Sequence, residues 1–362
     1  KIARIRSAEY TSNPRLFSDE ALSVDVWISP EQLVTEYVER LIRYPGALQV
    51  LTFAAGRLRL VGVRAGGSAP LVGHPIRMLR DHLPDVEVRV VAVYRDGRSL
   101  EPGAELVLKE DDEVFFLAER DQVRRVMSEL RKEDNPAKRV VIAGGGSIGF
   151  RLARMLEKTH HVKVIERDPK RARHISEVLE HAIVLHGDAA DEELLIEENI
   201  DSADVFAALT NSEEANILSA ILPKRLGAAK VMALINKPSY AELMESGSID
   251  VAISPQSVTI GSLLAHVRSG DIVRVHSLKH GAAEAMEAIA HSEGGRSRVV
   301  GVAVGEIALP DGARIGAIVR DQKVIMTQDN TVVEEGDHVI IFLADRRHVE
   351  QVERLFMTAT PR

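Results

Sequence analysis

A short apolar strand, a glycine-rich turn, an amphipathic helix and a second strand ending in an acid follow one another between residues 140 and 166. The turn reads Gly-Gly-Gly-Ser-Ile-Gly over residues 144–149 and fits G-x-G-x-x-G. In this pattern Gly144 permits the tight turn, Gly146 lets the backbone approach a diphosphate, and Gly149 lets helix and strand pack closely. Glu166 closes the second strand 22 residues after the first glycine. The unit predicts a dinucleotide-binding βαβ fold.

The acid at the end of the second strand indicates which nucleotide binds. Glu166 can accept hydrogen bonds from both hydroxyls of an adenosine ribose and repels a 2′-phosphate, which favours NAD or NADH over NADP. Arg167 follows directly and could weaken that preference. ATP and ADP carry the same ribose diol, so an adenine mononucleotide stays open as an alternative.

Two further segments follow predicted strands at the same edge of the sheet. Asp188 and Ala189 come after the third strand, where the adenine would lie, although this segment could instead cap the next helix. Thr210 and Asn211 follow the fourth strand and face the crevice at the carboxyl ends of the strands. Asn211 could equally form a capping pair with Glu214. Neither capping role excludes contact with a nucleotide.

The chain repeats itself at an offset of 225 positions. The first copy begins with a strand that resembles the one starting at Lys230, which lies 92 residues after Lys138, where the nucleotide-binding domain of the second copy starts. We therefore expect the first copy to lack about that many residues, including its own glycine loop, as in a truncated piece of a longer protein. The matching segments are Val24–Pro30 with Ile249–Pro255, Arg95-Asp96 with Arg320-Asp321, and Asp112–Leu117 with Asp337–Phe342.

The pattern of strands and helices predicts four segments. Strands that alternate with helical stretches from Val140 to Ile253 predict a doubly wound parallel sheet. Period-two alternation and a hairpin signal at Asp96-Gly97 predict small α+β domains elsewhere. The predicted segments are a remnant of a first Rossmann-like domain with its crossover helix (1–45), a first small domain (46–131), a nucleotide-binding domain (138–270) and a second small domain (271–357).

Composition excludes several classes of protein. The net charge of −8 argues against general nucleic-acid binding, which needs a basic surface. The absence of cysteine excludes thiolate chemistry and sulfur metal sites. No apolar run approaches the length of a transmembrane helix, so we expect no membrane span. His276, His280 and His291 lack metal-ligand spacing, and hydrolase, zincin and P-loop motifs are missing. We therefore expect neither a metal site nor catalysis, with an NAD-dependent oxidoreductase as the alternative.

The motifs together resemble the RCK/KTN family, regulators of potassium conductance, over essentially the whole chain. The matching stretches are Ala-Gly-Gly-Gly-Ser-Ile-Gly, Ile-Glu-Arg-Asp, Gly-Asp-Ala-Ala-Asp and Leu-Thr-Asn-Ser-Glu-Glu-Ala-Asn. The resemblance implies tandem modules, each with a Rossmann-like RCK-N domain and a small α+β RCK-C domain. It also implies that Arg4 is the surviving part of the first nucleotide site, with Leu234 at the matching place in the second copy, so that the two sites respond differently. The residues implied for the pyrophosphate are Gly144, Gly145, Gly146, Ser147 and Ile148, with Glu166 on the ribose and Thr210 and Asn211 beside them.

The resemblance further implies a non-catalytic NAD(H)-binding subunit that gates a potassium-conducting membrane protein of the TrkH type. It would lie on the cytoplasmic face of the inner membrane, held there only through its partner, and a closed ring of modules suggests a homotetramer. A nucleotide-bound regulator of another ion channel or exchanger, sensing ATP or ADP, is the alternative. Helices predicted at Glu31–Ile42 and Gln256–Val267 are candidates for packing between modules, or else within their own domains.

Overall fold

The structure is a computed structural model that describes residues 1–5, 24–132, 136–237, 239–241, 247–267, 271–278, 281, 283–292 and 298–356. The chain divides into two compact units, one formed by residues 1–45 and 135–259 and the other by residues 46–134 and 260–362. The predicted domain ends at residues 270 and 357, part of the predicted remnant (6–23) and His280 lie outside the described residues. None of the described helices is long and apolar enough to cross a membrane.

The elements are numbered in chain order. The strands are β1 Ile2–Arg4, β2 Val26–Ile28, β3 Ala47–Phe53, β4 Leu58–Arg64, β5 Val88–Arg95, β6 Arg98–Leu100, β7 Glu113–Glu119, β8 Arg139–Ala143, β9 His161–Glu166, β10 Ile183–His186, β11 Val205–Ala208, β12 Lys230–Leu234, β13 Val251–Ile253, β14 Ile272–Leu278, β15 Ala283–Ile289, β16 Ala313–Arg320, β17 Lys323–Met326 and β18 His338–Leu343. The helices are α1 Pro30–Arg43, α2 Met78–His82, α3 Val123–Leu130, α4 Ser147–Leu156, α5 Pro169–Val178, α6 Glu192–Glu197, α7 Glu213–Arg225, α8 Pro255–Val267 and α9 Val349–Phe356.

A six-stranded parallel sheet forms the centre of the first unit, in the order β10-β9-β8-β11-β12-β13. The chain runs outward from β8 in one direction and then from β11 in the other, so the order reverses between these two strands. Strands β8, β11 and β12 are buried almost throughout, because helices cover both faces of such a sheet. The predicted doubly wound sheet is confirmed, and its reversal point is where ligands bind in folds of this kind.

Helix α1 of the first copy contacts helix α4 of the second copy. Its start is capped by Ser29, whose hydroxyl accepts a hydrogen bond from the backbone N–H of Gln32, 3.4 Å away. At its end the carbonyl of Leu41 accepts a hydrogen bond of 3.2 Å from the buried ammonium of Lys230. The prediction of packing between modules is therefore confirmed for this helix. In α8, by contrast, Leu264 packs against the core of the small domain of its own copy.

Strands β1 and β2 form a separate two-stranded parallel sheet in the same unit. Arg4 lies opposite Ile28 in this pair, just as Leu234 lies opposite Ile253 between β12 and β13. Since Ile28 and Ile253 are related by the offset of 225, the register makes Leu234 the counterpart of Arg4. The first copy therefore carries an arginine where the second carries a buried leucine.

The second unit contains two five-stranded antiparallel sheets with the same topology. Their strand orders are β3-β4-β7-β5-β6 and β14-β15-β18-β16-β17, which confirms the tandem duplication. The predicted turn at Asp96-Gly97 is present, with φ of 50° and 75°, and joins β5 to β6 as a hairpin. The two sheets approach closely at Gly316, where an added Cβ would lie 2.5 Å from a methyl carbon of Leu117.

Candidate functional site

The glycine loop joins β8 to α4 at the reversal point of the parallel sheet. Gly144 has φ of +100°, a conformation that favours glycine. A Cβ at this position would also lie 3.0 to 3.2 Å from atoms of Thr210. At Gly149 an added Cβ would lie 1.9 Å from the carbonyl oxygen of Gly144, so the start of the helix touches the loop backbone. Both positions therefore require glycine for reasons internal to the fold.

Gly146 is different, because a Cβ added there would meet no protein atom within 4 Å. It is the N-cap residue of α4 and supplies no side-chain cap, so the first-turn N–H groups of the helix have no side-chain acceptor at that position. Ser147 is exposed and Ile148 is partly buried. The open space beside Gly146 and the helix N-terminus together have the geometry that binds phosphate oxygens.

Glu166 is hydrogen-bonded to the glycine loop. Its Oε2 accepts a hydrogen bond of 2.7 Å from the backbone N–H of Gly145, and its Oε1 accepts one of 2.8 Å from the backbone N–H of Asp168. An ionised carboxylate has about four lone-pair sites, so this leaves acceptor capacity for ribose hydroxyls. The acid predicted to bind ribose therefore also sets the conformation of the loop, whereas the neighbouring Arg167 is exposed.

Thr210 is held beside the loop by the amide of Asn216, the last residue of the stretch Leu-Thr-Asn-Ser-Glu-Glu-Ala-Asn, to which the sequence assigned no role. The Oδ1 atom of Asn216 accepts hydrogen bonds from the backbone N–H (2.8 Å) and the hydroxyl (2.7 Å) of Thr210. Its Nδ2 donates to the carbonyls of Thr210 and Leu234, each at 3.1 Å. Asn216 is only 1% exposed, so it ties the carboxyl ends of β11 and β12 together from inside the fold.

The two alternative capping roles are wrong by a few residues. Helix α6 is capped by Asp191, whose carboxylate accepts hydrogen bonds from two backbone N–H groups, while the exposed Asp188 accepts one from Ala190. Helix α7 is capped by Ser212, which accepts from Ala215, and Asn211 is exposed. The cap of α6 lies three residues later than expected and the cap of α7 one residue later, so the turns that follow β10 and β11 are longer than predicted.

The structure brings some predicted residues together and leaves others apart. Glu166 and Thr210 both contact the glycine loop, and the backbone N–H of Gly187, next to Asp188, donates to the carbonyl of Glu166 at 3.1 Å. Arg4 lies on a different sheet, in β1. Among the described residues no group of three or more histidine, aspartate or glutamate side chains could hold a metal ion.

One arginine at the loop gave no signal in the sequence. The Nε–H of Arg171, in α5, donates a hydrogen bond of 2.8 Å to the carbonyl of Gly145. Its guanidinium carbon lies 5.4 Å from the ring centroid of Phe150 in α4. Only the packing of α5 against the loop reveals it, since Arg171 is one of several basic residues on that helix.

A cavity of about 510 Å³ lies at the other end of the sheet. Its lining includes Arg139, His161 and Ile183, which start β8, β9 and β10, and it contains none of the predicted site residues. Because the carboxyl ends of parallel strands carry the ligand site in doubly wound folds, this cavity does not change the assignment of the crevice.

Comparison with known proteins gives two matches to family models. The TrkA-N domain model matches residues 140–255, and the TrkA-C domain model matches residues 60–131 and 296–357. Among curated proteins, the chain is 53% identical to the Trk system potassium uptake protein TrkA of Halomonas elongata, over 98% of this chain and 78% of that protein. It is 44% identical to the TrkA of Haemophilus influenzae and 32% identical to a TrkA homolog of Archaeoglobus fulgidus, over 98% of this chain and 78% and 79% of those proteins.

Solved structures share the fold at low sequence identity. A structure described as the GsuK channel matches with a TM-score of 0.54 and 19% identity, over 98% of this chain and 62% of that one. A structure described as the GsuK channel bound to NAD matches with a TM-score of 0.51 and 18% identity, with the same coverage. These likenesses show that the chain shares the fold of the matched parts of both structures.

Proposed function

The chain belongs to the TrkA family of Trk system potassium uptake proteins, and from this premise we propose that it is a non-catalytic regulatory subunit that binds NAD or NADH. Binding would bias a potassium uptake system between two conformations. The observation that carries the proposal is the crevice at the glycine loop, where Gly146 faces open space and Glu166 is fixed beside it.

The loop geometry supports a dinucleotide because it places two anchors side by side, one that attracts negative charge and one that accepts hydrogen bonds from hydroxyl groups. The N-terminus of α4 attracts the negative pyrophosphate, and the carboxylate of Glu166 accepts hydrogen bonds from ribose hydroxyls. The residues assigned to the nucleotide are Gly144, Gly145, Gly146, Ser147, Ile148, Gly149, Glu166, Arg167, Asp188, Ala189, Thr210 and Asn211, with Arg4 assigned to the first copy's site. ATP or ADP would use the same two anchors, so the ligand test includes both.

The contact between α1 and α4 supports a regulatory role. Helix α4 supplies the phosphate-binding N-terminus, and α1 of the other copy, in which Val38 and Leu41 are buried, contacts this helix. A nucleotide that favours one position of α4 would therefore also change the position of α1, and with it the conformation of the other copy. A ligand moves such an equilibrium only through its differential affinity for the two states, and useful couplings are about 1 to 3 kcal/mol.

The partner and location in this proposal follow from the family. The chain would act on a TrkH-type potassium-conducting membrane subunit, from the cytoplasmic face of the inner membrane, as part of a homotetrameric ring. The names of the relatives, all potassium uptake proteins, support this choice over an oxidoreductase.

A melting scan with NAD, NADH, ATP and ADP tests the ligand. A ligand at 100 times its dissociation constant should stabilise the protein by about 2.7 kcal/mol, which is readily seen as a shift in melting temperature. Gly146→Val, which places a side chain in the open space of the crevice, is the matched control and should show no shift. Absence of a shift with all four nucleotides would refute nucleotide binding. Turnover of bound NADH with a panel of carbonyl substrates, followed by absorbance, would instead favour the enzyme.

A further inference from the structure

Glu166 and Arg171 are hydrogen-bonded to the two backbone groups of one residue, the N–H and the carbonyl of Gly145. The carboxylate of Glu166 accepts a hydrogen bond from the N–H of Gly145 (2.7 Å), and the Nε–H of Arg171 donates to the carbonyl of the same glycine (2.8 Å). The guanidinium therefore lies at the glycine loop, next to the acid proposed for the ribose. Phe150, whose ring centroid is 5.4 Å from the guanidinium carbon, restrains it from the side of α4.

Among the residues that the structure describes, no protein acceptor lies at the terminal nitrogens of this guanidinium. A guanidinium has five N–H donors, of which the bond to Gly145 uses one, on Nε. In the part of the chain that the structure describes, no acceptor contacts the two terminal nitrogens of Arg171. The side chain is half-buried, so it is held in place and yet reachable from the crevice. Four donors in a planar fork beside a phosphate-binding loop match the geometry of a phosphate group.

We propose that Arg171 is a nucleotide-binding residue that contacts the phosphate nearest the adenosine ribose. This inference rests on the proposed nucleotide site. A ligand whose ribose meets Glu166 and whose phosphates meet the N-terminus of α4 has its first phosphate between these anchors, where Gly145 lies. The bond to the Gly145 carbonyl orients the fork, and its terminal nitrogens add a positive side-chain charge to the backbone N–H groups of the glycine loop.

The proposal differs from a purely structural role for Arg171. If the side chain served only to brace Gly145, its loss would disturb every ligand of the crevice equally. If it binds phosphate, its loss weakens phosphate-bearing ligands and spares adenosine, which has the ribose and the base alone. The ratio of the two affinities therefore separates the roles.

The experiment measures dissociation constants of ADP, NAD and adenosine for the wild-type protein and three variants, by calorimetry or competition. Arg171→Gln should weaken ADP and NAD about tenfold to a hundredfold, as expected for a lost charge-assisted hydrogen bond, and change adenosine less than twofold. Arg171→Lys keeps the positive charge, and its affinities for ADP and NAD should lie between those of the wild type and those of Arg171→Gln. Arg173→Gln removes an exposed arginine from the same helix and should behave as wild type. The affinity of the wild type for ADP should also fall more steeply with salt than that of Arg171→Gln.

Two results would overturn the role of Arg171 while leaving the nucleotide site intact. One is an unchanged ADP affinity in Arg171→Gln, and the other is an equal loss of ADP and adenosine affinity in that variant with Arg171→Lys no better. A wild-type protein that binds neither ADP nor NAD would refute the proposed function itself. This outcome concerns the wild type and is therefore distinguishable from the two results for Arg171→Gln. Melting temperatures of all variants verify that each is folded.

Discussion

Arg95 donates two hydrogen bonds, each 2.7 Å long, to the two carboxylate oxygens of Asp112, whose side chain is completely buried. At positions 225 residues later, Arg320 and Asp337 form the same pair at 2.8 Å. The hydrogen bond to Asp112 raises the pKa of Arg95, and the bond to Asp337 raises that of Arg320. The duplication has thus preserved a buried ion pair in each small domain.

The surrounding backbone contacts repeat as well. The Nη2 atom of each arginine, which donates to the aspartate, also donates to a backbone carbonyl, that of Val107 in the first copy and of Val332 in the second. Each aspartate also accepts a backbone N–H, from Lys109 and Glu334 respectively. Each aspartate therefore joins the strand that carries the arginine to the turn before its own strand, which makes it a structural element of the small domain.

Removing either aspartate should destabilise its domain strongly. We expect Asp112→Ala and Asp337→Ala each to lower the free energy of unfolding by about 2 to 4 kcal/mol, because a buried N–H and a partly buried guanidinium lose their acceptor. Urea unfolding measures the loss. Glu101→Gln is the control: Glu101 is 81% exposed in its pair with Arg314, so this change should cost less than about 1 kcal/mol. Equal costs for the buried and exposed pairs would contradict the assignment.

Substitutions of Gly146 and Gly149 in the loop should have different effects. Gly149→Ala should destabilise the fold, because its Cβ would lie 1.9 Å from the carbonyl oxygen of Gly144. A Cβ at position 146 would meet no protein atom within 4 Å, so Gly146→Val should cost no more than about 1 kcal/mol of stability, the preference for glycine over valine at an N-cap, while abolishing nucleotide binding. Melting temperatures with and without NAD measure both effects. A Gly146→Val protein that still shifts with NAD would remove the phosphate assignment.

Stability at low pH should depend on Glu157. Its buried carboxylate loses solvation, which raises its pKa, but it accepts hydrogen bonds from the backbone N–H groups of His181, Ala182 and Glu180, and the net pKa lies below the ordinary value of 4.5. A depressed folded-state pKa contributes stability above the unfolded-state pKa, and this stability is lost as pH falls through the folded-state value. Glu157→Gln should therefore be about 1 to 2 kcal/mol less stable at neutral pH and lose less stability on acidification.

The measurement is urea unfolding at a series of pH values from about 7 to 3, since this range spans the ordinary titration of glutamate. Glu177→Gln, an exposed change on α5, provides the matched control and should follow the wild type. If the free energy of unfolding depends on pH in the same way for the wild type and Glu157→Gln, the charge of the carboxylate contributes nothing to stability.

Replacing Asn216 should lower both the free energy of unfolding and the affinity of the crevice for nucleotide. In Asn216→Asp, two donors that face the carbonyls of Thr210 and Leu234 become acceptors. We expect a loss of about 2 to 4 kcal/mol, because two buried carbonyls then lose their donor and face a carboxylate. Nucleotide affinity should fall too, since Thr210 lies against Gly144. Chemical unfolding and titration with NAD measure the two effects, and Asn211→Ala, exposed in the same turn, should leave stability within about 0.5 kcal/mol.

Local patterns were sufficient for the parallel sheet and for the glycine loop. The strands predicted between Val140 and Ile253 are present and form this sheet, because apolar runs bounded by turns carry their own signal. The tight contact of Gly149 with the loop is a short-range steric requirement, readable from the spacing of glycines alone. The offset of 225 likewise predicted that Arg95 and Asp112 would have counterparts in the second copy.

Contacts between residues far apart in the chain needed the tertiary structure. Arg171 reaches Gly145 across 26 positions and Lys230 reaches Leu41 across 189, and no periodicity in the sequence encodes either pairing. Asn216 ends a motif that the sequence shows, but the hydrogen bonds by which it joins the ends of β11 and β12 are visible only in the fold. The amino-acid sequence by itself determined the elements and the loop, because local sterics and hydrophobic periodicity act over a few residues. Which side chains surround the crevice was decided only by the fold, because hydrogen-bond geometry depends on how distant helices and strands pack.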